Sequence, residues 1–216
     1  MPGEELSILN QERKILPGPE YLQDLVDWSR DSATAIDFCT ASGDRCHISY
    51  KLLDDLTSAL AQRIAEALKA TGTHYEGAVI PVLISQSPEL YISWVAILKA
   101  GAAFCPVAID SPAERVSFIL QDVSASLVLT TARHESWLAE IAPHIPILSA
   151  SQSTLHCASK RAASEGEYEV KKTVPRSQPL AYIMYTSGQP HEAEICLVLK
   201  LIKTSQDQLD YLKASR

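Results

Sequence analysis

Apolar residues recur every three or four positions between 50 and 70: Leu53, Leu56, Leu60, Ile64, Ala67 and Leu68. That spacing predicts an amphipathic helix. Ser49 suits its N-cap, Asp54 and Asp55 its positive end, and Gly72 its stop. Upstream, Leu22, Leu25, Val26 and Trp28 predict a helix over 21–30. Ile36-Asp37-Phe38 and His47-Ile48-Ser49-Tyr50 flank Ala41-Ser42-Gly43-Asp44, a hairpin signal. Downstream, short apolar runs alternate with helical stretches. Strands are expected at Ala78 to Ile84, Ala103 to Val107, Ser126 to Thr130, Ile145 to Leu148 and Leu180 to Tyr185. Ser87-Pro88-Glu89 opens a helix to about Lys99 that is apolar nearly all round, so burial is expected; Gly101 ends it. Ser111-Pro112-Ala113-Glu114 reads as a capping box with proline at the first helical position, opening a helix to about Asp122. A short helix is expected at 134–142. Alternation of this kind predicts an α/β fold with a largely parallel sheet and right-handed crossovers. Residues 150–178 lack periodicity and read as a surface loop or linker. Ile195 to Ile202 is a further apolar run, followed by a short helix candidate at 205–214.

Length and composition narrow the class. The 216 residues can bury a substantial core. A net charge of −7 argues against a nucleic-acid partner, because phosphates need a basic footprint. No stretch approaches the roughly 20 apolar residues of a membrane span. The acidic start Met1-Pro-Gly-Glu-Glu shows no secretory signal. Cys39, Cys46, Cys105, Cys157 and Cys196 are scattered and odd in number, which suits free thiols in a reducing, cytoplasmic setting. The six histidines show no metal-ligand spacing, so no metal site is assigned. Gly-x-Ser-x-Gly and Gly-Lys-Ser/Thr are both missing, which removes a hydrolase elbow and a Walker loop. Lys160-Arg161 and Lys171-Lys172 are interrupted by Glu165, Glu167 and Glu169 and form no basic patch.

The chemistry concentrates at the end of the Leu180–Tyr185 run. It opens into Thr186-Ser187-Gly188, two hydroxyls and a residue free to take positive φ. A loop of that kind after a strand can turn N–H groups and hydroxyls toward a phosphate. The bland reading is a strand-end turn.

Tyr185-Thr186-Ser187-Gly188 resembles the start of the phosphate loop of the adenylate-forming enzymes, Tyr-Thr-Ser-Gly-Thr-Thr-Gly-x-Pro-Lys-Gly. Two other stretches are similar to adenylation domains of nonribosomal peptide synthetases. His47-Ile48-Ser49-Tyr50-Lys51-Leu52-Leu53 resembles Leu-Thr-Tyr-x-Glu-Leu. Leu98-Lys99-Ala100-Gly101-Ala102-Ala103-Phe104-Cys105-Pro106, with Asp110-Ser111-Pro112-Ala113-Glu114-Arg115 after it, resembles Leu-Lys-Ala-Gly-x-Ala-Tyr-Val-Pro and its Pro-x-x-Arg. Pro19-Glu20-Tyr21-Leu22 and Gln86-Ser87-Pro88-Glu89-Leu90-Tyr91 resemble filamentous-fungal synthetases in style. Lys99 is read as part of a packing element and not as catalytic.

The resemblance implies the N-terminal part of an AMP-binding domain over 21–188, with 1–20 a lead-in and 189–216 a divergent tail. It implies ATP and Mg2+ for acyl-adenylate formation, with Thr186, Ser187 and Gly188 on the phosphates and no catalytic residue assigned. It implies a small carboxylate or amino-acid substrate and a phosphopantetheine carrier as acceptor in the complete enzyme, with no membrane partner. After Gly188 the chain reads Gln189-Pro190-His191-Glu192, so a histidine stands where the family has lysine. Glu192 and Glu194 place carboxylates near a polyphosphate; like charges about 4 Å apart cost roughly 4 kcal/mol at an effective dielectric near 20. The family's later motifs have no match, so the chain is expected to be inactive alone, and a gene-model error would also produce such a tail. Two other readings stay open: a non-enzymatic remnant or protein-binding module, and an acyl-CoA ligase fragment. Incomplete cover of the apolar sheet implies self-association.

Overall fold

The computed structural model describes residues 26–73, 77–151, 180–185 and 195–199. The expected hairpin forms first, from β1 (Thr34–Cys39) and β2 (Arg45–Ser49), paired antiparallel with Phe38 opposite Cys46. Its turn closes by a hydrogen bond from the Thr40 amide to the Asp44 carbonyl at 2.9 Å, with Gly43 at φ +90°. β2 runs directly into α1 (Tyr50–Ala70), where the Ser49 hydroxyl accepts the Leu52 amide at 3.2 Å. The apolar stripe is the buried one: Leu53, Leu56, Leu60, Ile64 and Leu68. Asp54 and Asp55 fall beyond the first turn, which holds no acidic residue. They serve as ion-pair partners instead, of Lys99 and Lys51 respectively.

Then strands and helices alternate: β3 (Val79–Leu83), α2 (Pro88–Lys99), β4 (Ala103–Pro106), α3 (Ala113–Asp122), β5 (Val128–Thr130), α4 (Ala132–Ile141), β6 (Ile147–Ser149), β7 (Leu180–Tyr185) and β8 (Ile195–Leu199). They build one sheet in the order β6-β5-β3-β4-β7-β8, parallel throughout except for the last pair. The step from β3 to β4 goes one way along the sheet, and the steps through β5 to β6 go the other. Right-handed crossovers then put α2 on one face and α3 and α4 on the opposite face. The two apolar clusters confirm it. One joins α1 and α2 to Ile80, Val82, Phe104 and Leu129. The other joins Val116, Ile119 and Leu120 of α3 and Leu138 of α4 to Leu83, Cys105 and Val128.

Three expectations need correction. The helix over 21–30 is not present in its described part: residues 26–30 form turns. Asp27 accepts both the amide and the hydroxyl of Ser29, and such local bonds compete with helix formation. Trp28 still packs on the first cluster. The capping box at Ser111 does not form; Pro112 itself is the N-cap of α3, in extended backbone, with no side-chain cap bond. Finally, α2 is not buried all round. Tyr91 and Val95 line a groove of about 400 Å³ with Ala35, Ile36, Asp37, Phe38 and Leu53. The remainder of the 150–178 linker and the 205–214 helix candidate lie outside the described residues.

One motif ends three helices. In α1, α2 and α3 the two amides after the C-cap return to carbonyls of the last turn: Gly72 to Lys69 and Thr73 to Leu68, Gly101 to Leu98 and Ala102 to Ile97, Ser124 to Gln121 and Ala125 to Leu120. This is the Schellman pattern, which needs a left-handed residue after the cap. Gly72 and Gly101 supply it at φ +71° and +84°, while Ser124 does so at φ +50° with a side chain.

Candidate functional site

In an open parallel sheet, ligands gather outside the carboxyl ends of the strands, where the connections part to opposite faces. Here that point lies at β3 and β4. The connection after β3 leaves over the α2 face and the one after β4 over the α3 face. β7 lies beside β4, parallel to it, with Tyr182 in register with Phe104. Its last residue, Tyr185, therefore reaches the same edge. The N-terminal ends of α2, α3 and α4 face that edge too, because each helix follows a strand that ends there. Thr186, Ser187 and Gly188 come directly after Tyr185 and lie outside the described residues.

The strand that carries them is held on both faces. On one, an aromatic row runs from Tyr91 to Trp94, Phe104 and Tyr182. Ring centroids are 5.6, 5.0 and 5.2 Å apart, the last two contacts being stacked. On the other, Ile183 is buried in the second cluster and the Tyr185 ring meets Phe118 of α3 edge-on at 6.4 Å. The Tyr185 hydroxyl donates to the Asp122 carboxylate at the end of α3. Burial, and then that bond and charge, hold the phenol well above the usual tyrosine range. Burial, reinforced by the Asp122 charge, pushes the Cys105 thiol up to about 12. Asp122 and its partner were missed in the sequence. The available signal was an acid on the last residue of a helix with no basic residue in its last turn.

Lys99 is placed elsewhere. Its ammonium pairs with Asp54, lies 3.1 Å from the Ser58 hydroxyl and 4.3 Å from the centre of the Trp28 ring. It closes α2 against α1 at the amino edge of the sheet, away from the strand ends. Burial lowers its pKa, opposed by Asp54. The packing reading of the Leu-Lys-Ala-Gly stretch thus holds. Gly101 makes the helix stop, Ala102 and Ala103 are buried, and Pro106 is the last residue of β4. Among the described residues no group of three or more His, Cys, Asp or Glu side chains is placed to hold a metal ion. No described helix is long and apolar enough to cross a membrane.

The sequence matches the model of the AMP-binding enzyme family over residues 29–188. The chain belongs to that family. It is 38% identical over 188 residues to Nonribosomal peptide synthetase 2 of Cochliobolus heterostrophus, a match covering 86% of this chain and 3% of that protein. It is 41% identical over 187 residues to Nonribosomal peptide synthetase 2 of Gibberella zeae, covering 85% and 4%. The chain thus spans a small part of the length of the curated relatives it matches. Among solved structures it is similar to the fatty acyl-adenylate ligase from L. pneumophila in complex with acyl adenylate and pyrophosphate. That likeness has a TM-score of 0.65 at 21% identity, over 90% of this chain and 32% of that one. It is also similar to the nonribosomal peptide synthetase FmoA3 in its alpha-methyl-L-serine-AMP bound form. There the TM-score is 0.58 at 22% identity, over 85% and 19%. These likenesses show the fold: the sheet and its helices are those of the first part of an adenylate-forming enzyme.

Proposed function

We propose that the chain supplies the phosphate-binding part of an ATP-dependent adenylating domain of a nonribosomal peptide synthetase, acting in cytoplasmic secondary-metabolite biosynthesis. In this reading 21–188 is the partial domain, 1–20 a lead-in and 189–216 a divergent tail. One observation supports it: β7 runs parallel beside β4, so its last residue, Tyr185, after which Thr186, Ser187 and Gly188 follow in the sequence, stands at the carboxyl edge where the connections part. Backbone amides and hydroxyls there neutralise phosphate charge, and adenylation depends mostly on positioning and charge stabilisation. The substrate in the complete enzyme is an amino acid or small carboxylate, whose carboxylate oxygen attacks the α-phosphate and releases pyrophosphate. Magnesium and a phosphopantetheine acceptor belong to that complete enzyme. The described residues do not fit a metal site of their own, and none is assigned to either group.

As an isolated polypeptide the 216 residues do not catalyse this reaction. The family match ends at Gly188, and Glu192 and Glu194 follow where charge repels polyphosphate. Amino-acid-dependent exchange of pyrophosphate into ATP is expected to stay at background with every proteinogenic amino acid. Exchange clearly above a no-protein control would overturn this part of the reading. A second role is favoured by exposed apolar side chains on β7 and α3: Phe118 is 42% and Met184 45% exposed. The isolated chain self-associates through them.

A further inference from the structure

We propose that the outer edge of β1, with the groove it forms against α2, takes an extended peptide segment as a third strand of the hairpin, and that the segment comes from the adenylating domain beyond the matched residues. The source of the segment rests on the adenylating-domain reading of the chain; the geometry of the site does not. Ala35, Ile36, Asp37 and Phe38 are consecutive, and all four line the groove. Side chains alternate between the two faces of a strand, so what four successive residues share is its edge. That edge is open: among the described residues β1 pairs only with β2. Two bonds fix which groups face outward. The Thr40 amide donates to the Asp44 carbonyl at one end of the pair, and the Tyr50 amide to the Ala33 carbonyl at the other. The alternation of an antiparallel ladder then binds Ile36 and Phe38 to β2 and turns the amide and carbonyl of Asp37 outward. Another backbone satisfies them by strand addition.

The surroundings define the side chains of the segment. The groove is apolar on its helix side, where Leu53 of α1 meets Tyr91 and Val95, one turn apart on α2. Ile36 and Phe38 are only half-buried, while Ile48, opposite Ile36 on β2, is 4% exposed. On the other face of the hairpin Asp37 stands with Arg45 and His47, 3.7 and 3.4 Å away. The segment is therefore apolar at alternate positions and polar between them. A second copy of this chain fits poorly. The antiparallel register that pairs residues 35–39 with 39–35 sets Asp37 opposite its own copy, and like charges directly opposite are unfavourable. The length of relatives outside the match supplies a segment instead: the match spans 32% of the fatty acyl-adenylate ligase and 4% of the Gibberella zeae synthetase.

The probes are overlapping synthetic peptides of about ten residues, covering the adenylation domain of Nonribosomal peptide synthetase 2 of Gibberella zeae beyond the matched stretch. Each is labelled and titrated with the full 216-residue chain, and binding is read as fluorescence anisotropy. At least one peptide with apolar residues at alternate positions is expected to bind. Asp37→Pro removes the outward amide and leaves the bonds from β1 to β2, since proline is tolerated on strand edges. It is expected to weaken binding about tenfold. Asp37→Ala keeps the amide and is expected to bind within about threefold of the unaltered chain. Val95→Arg lies outside the hairpin, puts a charge into the apolar groove and is expected to weaken binding about tenfold as well. If Asp37→Pro loses cooperative urea unfolding, Val95→Arg gives the decision. Absence of binding by every peptide overturns the proposal. So do equal affinities in the unaltered chain and the folded variants, which put the peptide elsewhere. A dimer of the chain alone that Asp37→Pro dissociates also overturns it, because the occupant is then a second copy. Magnesium-ATP titrated by calorimetry separates the two readings. Failure to bind it removes the phosphate-binding role of 186–188, while the peptides alone decide whether β1 accepts a strand.

Discussion

Ser124 shows how much a single residue's backbone reveals. Three helices end in the same motif, and two of them place glycine at the left-handed position. The third places serine there, at φ +50°. A side chain in that conformation costs about 1–2 kcal/mol, part of which glycine returns by its greater freedom in the unfolded chain. Ser124→Gly is therefore expected to stabilise the protein by a few tenths to about 1 kcal/mol. Gly101→Ala, the reverse change in the same motif, is expected to destabilise it by about 1 kcal/mol. Urea unfolding of the two variants checks both signs, and a destabilised Ser124→Gly would refute the argument. The sequence made Gly72 and Gly101 legible as helix stops because glycine announces its conformation. Ser124 announced nothing, since serine is at home in turns, caps and surfaces alike. The Tyr185–Asp122 bond was hidden for a related reason: it joins residues far apart in the chain, and no local spacing encodes it.

At the level of elements, the strands and helices with clear periodicity stand where the pattern put them, with boundaries shifted by one or two residues. α1 is the best case, since its stripe of leucines and Ile64 coincides with its buried face. The failures have local causes. The Asp27 side chain satisfies Ser29 and turns the chain where apolar spacing alone suggested a helix. Pro112 takes the cap position that Ser111 was expected to hold. The partial exposure of α2 could not be read from its composition, because it depends on how far β1 lies from Tyr91 and Val95. Exposure also sets an expectation for association. Phe118 of α3 and Met184 of β7 present apolar surface to solvent. The two lie on opposite faces of the sheet, since Ile183 and Tyr185 of β7 pack on the α3 side and Met184 alternates with them, so each offers a separate apolar contact at about 25 cal/mol per Å². Size exclusion coupled to light scattering is expected to show oligomers at micromolar concentration, reduced in Phe118→Ser. A monodisperse monomer that binds no hydrophobic dye would show that these side chains do not seek a partner.

For the whole molecule, the buried thiol and half-buried phenol of the α3 face predict a response to alkali. The Cys105 thiol is raised from 9.0 to about 12 in the folded chain, so folding favours the protonated form. That contribution is complete below pH 9.0 and is lost as pH rises toward about 12, because the unfolded thiol ionises first. Tyr185 acts in the same sense above its ordinary value of 10.0. Lys99, lowered by burial, acts in the opposite sense below 10.5. Stability is expected to decline above pH 9.0 by up to about 1.4 kcal/mol per pH unit for the thiol. Cys105→Ala should show a flatter decline in denaturant titrations at stepped pH. Equal slopes would mean that the thiol does not report burial. The order of the sheet has a consequence of a different kind, in time. β3, β4, β5 and β6 are all complete before β7 is made, yet β7 is the neighbour of β4. On a ribosome adding about 5–20 residues per second, the interval from Phe104 to Tyr182 lasts on the order of 4–16 seconds. Through that interval the outer edge of β4 has no strand from its own chain to pair with, and newly made chains on neighbouring ribosomes carry the same open edge.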